Sequence, residues 1–219
     1  MSSPGCSPTV RKETLHTVSL VRPHLGPGTS VLDVGCGEGW VADEIARESA
    51  AEVAVVDVVD IRRTHGLPFS LYDGVHLPFP DNRFDVVMLN FVLHHVPDDR
   101  KVALLGEALR VARRTVFILE DTPTTPLDRF VSRRHGEAYR RKIASDAPFG
   151  FLTPNEWRWL FRGMGIEAET TALGRFCRSV VQPFARAAFV LRKPSGHAGV
   201  RNSTPSVDES SAAWPAVGG

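Results

Sequence analysis

Residues 31–40 read VLDVGCGEGW. No other stretch limits the possible folds as tightly, because it joins a buried-strand signal directly to a glycine-rich turn. Val31, Leu32 and Val34 form a short apolar run bounded by turn formers, the pattern of a strand covered on both faces in a parallel sheet. Gly35, Gly37 and Gly39 follow at alternate positions. Glycine there admits positive φ values, and the missing side chains let a ligand approach the main chain closely. Val41, Ala42, Ile45 and Ala46 resume at helical spacing, so a helix is expected to start at 38–40 with its free N–H groups aimed at that ligand. Dinucleotide-binding folds also use a glycine turn between strand and helix, so the neighbouring segments must decide which ligand is meant.

A second apolar run, 53–56, ends in Asp57, at the distance from the glycines where an acid is expected to meet ribose hydroxyls. With VLDVGCGEGW, the strand ending VVD at Asp57, LYDGVHLPFPDNRFDVVMLNFVLHHV at 71–96 and VFILED at 116–121 in that order, the chain resembles the class I S-adenosylmethionine-dependent methyltransferases of small-molecule type. The resemblance is close over 30–121 and looser to 193. It implies an α/β, Rossmann-like doubly wound sheet of about seven strands with an antiparallel last strand, a helical insertion after strand five, and S-adenosylmethionine as cofactor. A nicotinamide enzyme would share the glycine turn but would leave the segments around Asp73 and Asn90 unexplained.

The chain has 219 residues, 42% of them apolar, enough for one α/β domain with a substantial core. Its formal charge of +1 gives no field that would draw in nucleic acid or a membrane. Cys6, Cys36 and Cys177 are odd in number and scattered, and no stretch resembles a signal peptide, so a cytoplasmic location is expected. No apolar run approaches the roughly 20 residues needed to span a bilayer.

Asp33 lies inside the first strand, where an isolated carboxylate is costly to bury without donors. A structural role and a ligand role are both open; the resemblance implies that this acid holds the turn and the amino end of the methionine. Gly35, Cys36 and Gly37 form the cofactor turn. Glu38 is ambiguous, because helix N-termini favour acids regardless of ligand. A carboxylate such as Asp57 can accept from two vicinal hydroxyls at once, although an acid at a strand end also caps the turn that follows; Asp60 is the runner-up for ribose. Val58 is placed to touch the adenine or ribose edge. A short third strand at 67–71 runs into Tyr72, Asp73 and Gly74. The resemblance gives Asp73 the exocyclic amine of adenine, while a plain Asx turn before Gly74 would use the same residues.

A fourth strand at 84–89 brings Asn90 to its carboxyl end. Ligands of open α/β sheets bind outside those ends where the strand order reverses, and the resemblance puts strands one and four there, with Asn90 facing the methionine. His94 and His95 follow. Adjacent side chains on a helix diverge, so a shared metal is not expected, and packing or hydrogen bonding competes with a role as a near-neutral base. A helix after Asp98 or Asp99 should turn Val102, Leu105, Leu109 and Ala112 to the sheet. A fifth strand at 115–119 leaves Glu120 and Asp121 on the cofactor rim, to bind substrate or to solvate a loop.

Residues 1–8 read as a mobile N-terminus, 9–193 as one methyltransferase domain and 194–219 as a disordered tail. A helix over 9–22 has Val10, Thr14, Val18 and Val21 near one face. Within the domain, 122–150 departs from the alternating pattern and carries Arg129, Arg133, Arg134, His135, Arg140, Arg141 and Lys142. Such a run is a solvated face or a lid that selects an acidic substrate. Thr153, Pro154 and Glu156 form a capping box ahead of Trp157, Leu160, Phe161 and Met164, and Gly165 ends that helix. The last two strands are expected at 166–172 and 184–191.

These readings imply methyl transfer to an oxygen, nitrogen or carbon atom of a small molecule, with His94, His95 and Asp121 the candidates for acid–base work and no metal. The Asp/Asn-Pro-Pro-aromatic signature of certain amino-group methyltransferases is missing, because Phe91 and Val92 follow Asn90. The alternatives are a non-catalytic or electrostatically assisting S-adenosylmethionine-binding protein, and an RNA methyltransferase, for which only the 122–150 segment offers a basic surface.

Overall fold

The structure, a computed structural model, describes residues 6–130, 132, 150–175 and 185–193. Helix α1 (Pro8–Val21) starts where the side chain of Ser7 accepts from Val10 N at 3.3 Å and Pro8 fills the first helical position. It begins one residue before the helix expected at 9–22, because the Ser-Pro pair is a cap rather than loose chain. Of the N-terminus expected to be mobile, 1–5 lie outside the described residues.

Strand β1 (Ser30–Val34), helix α2 (Trp40–Ser49), β2 (Glu52–Asp57), β3 (Phe69–Leu71) and β4 (Phe84–Asn90) alternate along the chain as expected. A 3-10 turn (Leu93–His95), helix α3 (Asp98–Val111) and β5 (Ala112–Asp121) follow. Helix α4 (Pro154–Gly163), β6 (Ala168–Arg175) and β7 (Ala185–Arg192) complete the described elements. The seven strands are ordered β3-β2-β1-β4-β5-β7-β6. β7 inserts between β5 and β6 and is antiparallel to both, as the resemblance implied.

Each face of the sheet is buried. Leu32, Val34, Val87, Leu89, Val116 and Ile118 pack against Leu104 and Leu105 of α3 and Trp157 and Phe161 of α4. Val31, Val86, Met88, Phe117 and Leu119 pack on the opposite face with Val18 and Val21 of α1 and Ile45 of α2. Helices on both sides explain why the strands read as continuous apolar runs rather than alternating ones.

Three expectations need correction. Helix α3 buries Lys101, Leu104, Leu105, Ala108 and Val111 and leaves Val102 45% exposed, so its inward face is rotated from the one expected. Lys101 makes this possible: its stem lies in the core while its ammonium pairs with Asp98 and donates to the carbonyl of Gly150 at 3.0 Å. Neither Asp98 nor Asp99 caps α3 with its side chain, since Pro97 holds the cap position. Strand β5 runs to Asp121, so Glu120 and Asp121 are buried strand residues and not loop acids.

The capping box stands as expected, with Glu156 N donating to Thr153 Oγ1 at 3.3 Å and Thr153 N to Glu156 Oε2 at 2.6 Å. The 194–219 tail lies outside the described residues, as do 131 and 133–149 of the expected 122–150 insertion. Among the described residues, no helix is long and apolar enough to cross a membrane.

Candidate functional site

Strands β1 to β5 are parallel in sequence of pairing, so their carboxyl ends share one rim, and the chain reverses its direction of sheet growth between β1 and β4. That reversal opens a crevice above β1 and β4. Gly35, Gly37 and Gly39 all take left-handed backbone there, with φ of 70°, 55° and 85°. The N–H groups of Gly35 and Cys36 both donate to the carbonyl of Val56, at 2.8 and 3.2 Å, folding the turn onto the end of β2. A Cβ on Gly35 would strike the side chain of Val92, and one on Gly39 the hydroxyl of Thr64. Glu38 accepts from the indole of Trp40 at 2.9 Å and lies 3.6 Å from Arg63, so it serves the turn itself.

Asp57 ties that turn to β2. Its Oδ2 accepts from Gly37 N at 2.8 Å and its Oδ1 from Val58 N at 2.7 Å. Val59 N–H is a third backbone donor to this carboxylate; a carboxylate offers about four acceptor positions, so about one remains for a ligand. Burial pushes its pKa up, against the pull of these backbone donors. Asp60, the alternative, is already engaged: the Arg62 fork grips both its oxygens at 2.9 Å and holds its carboxyl at about 2. Arg62 lies 3.9 Å over the ring of Phe69.

Asp33 is 2% exposed, and Asn90 Nδ2 donates to it at 3.5 Å. Burial, and then the charge of Asp57, push its pKa up to about 7, with the Asn90 bond opposing. Asn90 Oδ1 is buried without a hydrogen-bond partner. Burial, then Asp33 and Asp57, also raise the Cys36 thiol, so it stays protonated. Val58 meets Gly74, whose added Cβ would lie 3.5 Å from Val58 Cγ1. Asp73 builds the Asx turn, accepting from Val75 N at 2.8 Å and His76 N at 2.6 Å, while its other oxygen meets His76 Nδ1 at 2.7 Å. These bonds hold Asp73 well below the usual carboxylate range, the His76 ring first among them.

His94 is buried, with Nδ1 2.6 Å from Glu120 Oε2, and Glu120 Oε1 accepts from Leu93 N at 2.6 Å. The His94 ring stacks on Phe151 at 4.8 Å and 15°. It also lies 4.1 Å from the His95 ring, so the two histidines touch rather than diverge. Their 3-10 backbone differs from the α-helix assumed for them. Among the described residues, no group of three or more His, Cys, Asp or Glu side chains is placed to hold a metal.

Asp121 Oδ1 accepts from Arg186 Nε at 2.8 Å, and Arg186 Nη2 donates to Glu13 Oε1 at 2.7 Å. Sequence reasoning missed Arg186, Glu13, Thr64 and Val92. Arg186 carried a faint signal, an arginine within an otherwise apolar strand. Of the basic segment, Arg129 lies 3.8 Å from Glu156; Arg133, Arg134, His135, Arg140, Arg141 and Lys142 lie outside the described residues.

Comparison with known proteins adds a second line of observation. Residues 9–171 match a family described as Methyltransferase domain. A demethylmenaquinone methyltransferase of Mycobacterium sp. (strain JLS) is 37% identical over 168 residues, which cover 75% of this chain and 70% of that protein. The demethylmenaquinone methyltransferase of Corynebacterium urealyticum is 36% identical over 95 residues, 42% of this chain and 40% of that protein, so the chain spans less than half of that relative's length. Among solved structures, magnesium protoporphyrin IX methyltransferase from Synechocystis PCC 6803 with bound SAH superposes with a TM-score of 0.60. It shares 18% sequence identity, with 84% of each chain covered, a likeness of fold.

Proposed function

Because the chain belongs to the class I S-adenosylmethionine-dependent methyltransferases, we propose that its glycine turn seats the methionine and ribose of that cofactor for methyl transfer to a small molecule. The bond from Gly37 N to Asp57 carries the reading, since it fixes a side-chain-free backbone surface and a carboxylate with an acceptor position to spare on one crevice. When bound, the cofactor supplies a methyl group made electrophilic by its sulfonium.

The residues then divide the work. Gly35, Cys36 and Gly37 offer backbone beside the methionine. Asp33 takes the ammonium, a cation that compensates the burial of its charge. Asn90 turns its unpartnered Oδ1 to the same end. Asp57 accepts from the ribose hydroxyls, and Val58 and Gly74 flank the base. Asp73 offers the adenine amine the remaining lone pair of the oxygen that meets His76. In-line placement of donor and acceptor in a dry crevice supplies the rate. The names of the relatives make a demethylmenaquinone-type compound the first acceptor to try.

Calorimetric titration with S-adenosylmethionine and S-adenosylhomocysteine tests this. Both should bind. Asp57→Ala should lose about tenfold to a hundredfold in affinity, as expected for a charged hydrogen bond of roughly 1.5–3 kcal/mol. Gly37→Val should weaken binding at least as much. A folded protein that ignores both compounds at millimolar concentration would contradict the assignment.

A further inference from the structure

Between β3 and β4 the chain runs through residues 72–83 without a regular element, yet this connector carries Asp73, the acid given above to the adenine amine. β3 is a three-residue edge strand paired to β2, so it supports the connector weakly. Other bonds hold it. At its start, Tyr72 N donates to the carbonyl of Asp57, the ribose acid, at 3.2 Å. Further along, Arg110 of α3 donates to the carbonyls of Leu77 at 3.1 Å and Phe79 at 2.8 Å and to Asp81 Oδ1 at 2.8 Å. Glu107, on the preceding turn of α3, accepts from Leu77 N at 3.0 Å and from Arg110 Nε and Nη2 at 2.7 and 2.8 Å. The pair is a fork–fork clamp that grips both backbone groups of Leu77. Leu77 follows His76 directly, and its side chain is buried in the core, so the clamp fixes the place from which the His76 ring projects.

Gly74, with φ of 90°, takes the left-handed conformation that folds the chain back toward Asp73. Asp73 Oδ1 accepts from Val75 N and from His76 N, which fills both its lone pairs. Oδ2 meets His76 Nδ1 at 2.7 Å. The carboxylate is ionised and can only accept, so that ring nitrogen carries the proton. One acceptor position is left, on Oδ2, and the ring on its other side sets its direction. Glu107 and Arg110 act on the ring with opposite signs, so it answers chiefly to Asp73.

We propose that His76 is a positioning residue for base recognition: held from α3 through Glu107 and Arg110, its ring aims the last free acceptor position of Asp73 at the exocyclic amine, so that the site selects an aminopurine over an oxopurine. The inference rests on the reading of Asp73 as the adenine acid. His76 and Arg110 act through Asp73 and need no contact with the nucleoside. Without the ring, Oδ2 is free to turn, and ordering it becomes a cost of binding. An amine donates to the aimed oxygen, whereas an oxo group brings a second acceptor against it and is rejected. Exposed pairs such as His76 and Asp73 contribute little to stability, so a change at His76 should show in binding and not in melting.

The test titrates the full chain by calorimetry with S-adenosylhomocysteine and with S-inosylhomocysteine, in which a carbonyl oxygen replaces the exocyclic amine. The original chain should favour the first by about tenfold or more. His76→Ala should cut that preference by about threefold or more through weaker binding of S-adenosylhomocysteine, with S-inosylhomocysteine within about twofold of its original affinity and the melting temperature unchanged. His76→Asn presents an amide N–H where Nδ1 stood and should recover most of the preference. Arg110→Lys keeps the charge but loses the fork, and should lower the preference in the same direction. Thermal melts check that Arg110→Lys is folded, and the two His76 variants carry the test if it is not. An unchanged preference in His76→Ala or in folded Arg110→Lys overturns the proposal, as does a sharper one, which would make the ring a competitor for the lone pair. Equal losses for the two nucleosides, or no recovery in His76→Asn, overturn it by assigning the effect to the connector as a whole. An original chain that binds both nucleosides alike would instead remove Asp73 from the base, and one that binds neither would strike the cofactor reading itself.

Discussion

Gly35 shows how much a single position decides. Its φ of 70° disfavours any side chain, and the space a Cβ would need is filled by the Val92 methyls. Gly35→Ala should therefore destabilise the fold by about 2–3 kcal/mol, from left-handed strain and overpacking together. Adding Val92→Ala relieves the collision and leaves the strain, so a double-mutant cycle by urea denaturation should give a favourable coupling of about 1 kcal/mol. Additivity of the two changes would show that backbone strain alone sets the requirement. The glycines and Asp57 were legible in the sequence because their chemistry is local: a strand end, a turn, an acid one crossover later. Arg186 was not. Its partners Asp121 and Glu13 lie 65 and 173 residues away, and no spacing rule connects them.

At the level of elements, legibility followed the same division. Helix α4 could be bounded from its capping box, its proline and its terminal glycine. Thr153→Ala should cost about 1 kcal/mol in denaturant unfolding, the ordinary worth of such a cap. Helix α3 was misphased because an apolar pattern alone does not include the lysine on its inward face, Lys101, which is 1% exposed. Its stem fills core volume and its ammonium reaches Gly150, whose N–H donates to the carbonyl of His94 at 3.0 Å. Lys101 thus joins α3 to the turn after β4. Lys101→Ala should cost about 2–3 kcal/mol by emptying that volume and orphaning a carbonyl. Lys101→Met keeps most of the volume and should cost roughly half as much. Equal losses in the two variants would assign the effect to the ammonium alone. The end of β5 was misread for a related reason. Two adjacent acids looked like a loop, but Glu120 is satisfied by His94 and Leu93 on one face and Asp121 by Arg186 on the other.

For the molecule as a whole, Asp33 couples stability to ligand through pH. Its carboxyl titrates at about 7 in the folded chain against an ordinary value of 3.8, burial being the largest cause. The folded state therefore binds a proton more readily than the unfolded state. The stability this confers is fully present below about pH 4 and is lost progressively as pH rises through 7. An ammonium seated beside Asp33 reverses the balance by favouring the ionised form. Cofactor affinity should accordingly rise as pH goes from 6 to 8. Below 7, binding should release up to about one proton per site, read by calorimetry in buffers of different ionisation enthalpy. Asp33→Asn removes the titration from both processes. The variant should melt higher than the original chain at pH 8 without ligand, bind S-adenosylmethionine at least about tenfold more weakly there, and release no such proton. An original chain whose affinity is flat across this range, or an Asp33→Asn chain that keeps the proton release, would mean that the ammonium sits elsewhere and that the buried carboxyl serves only to brace the turn.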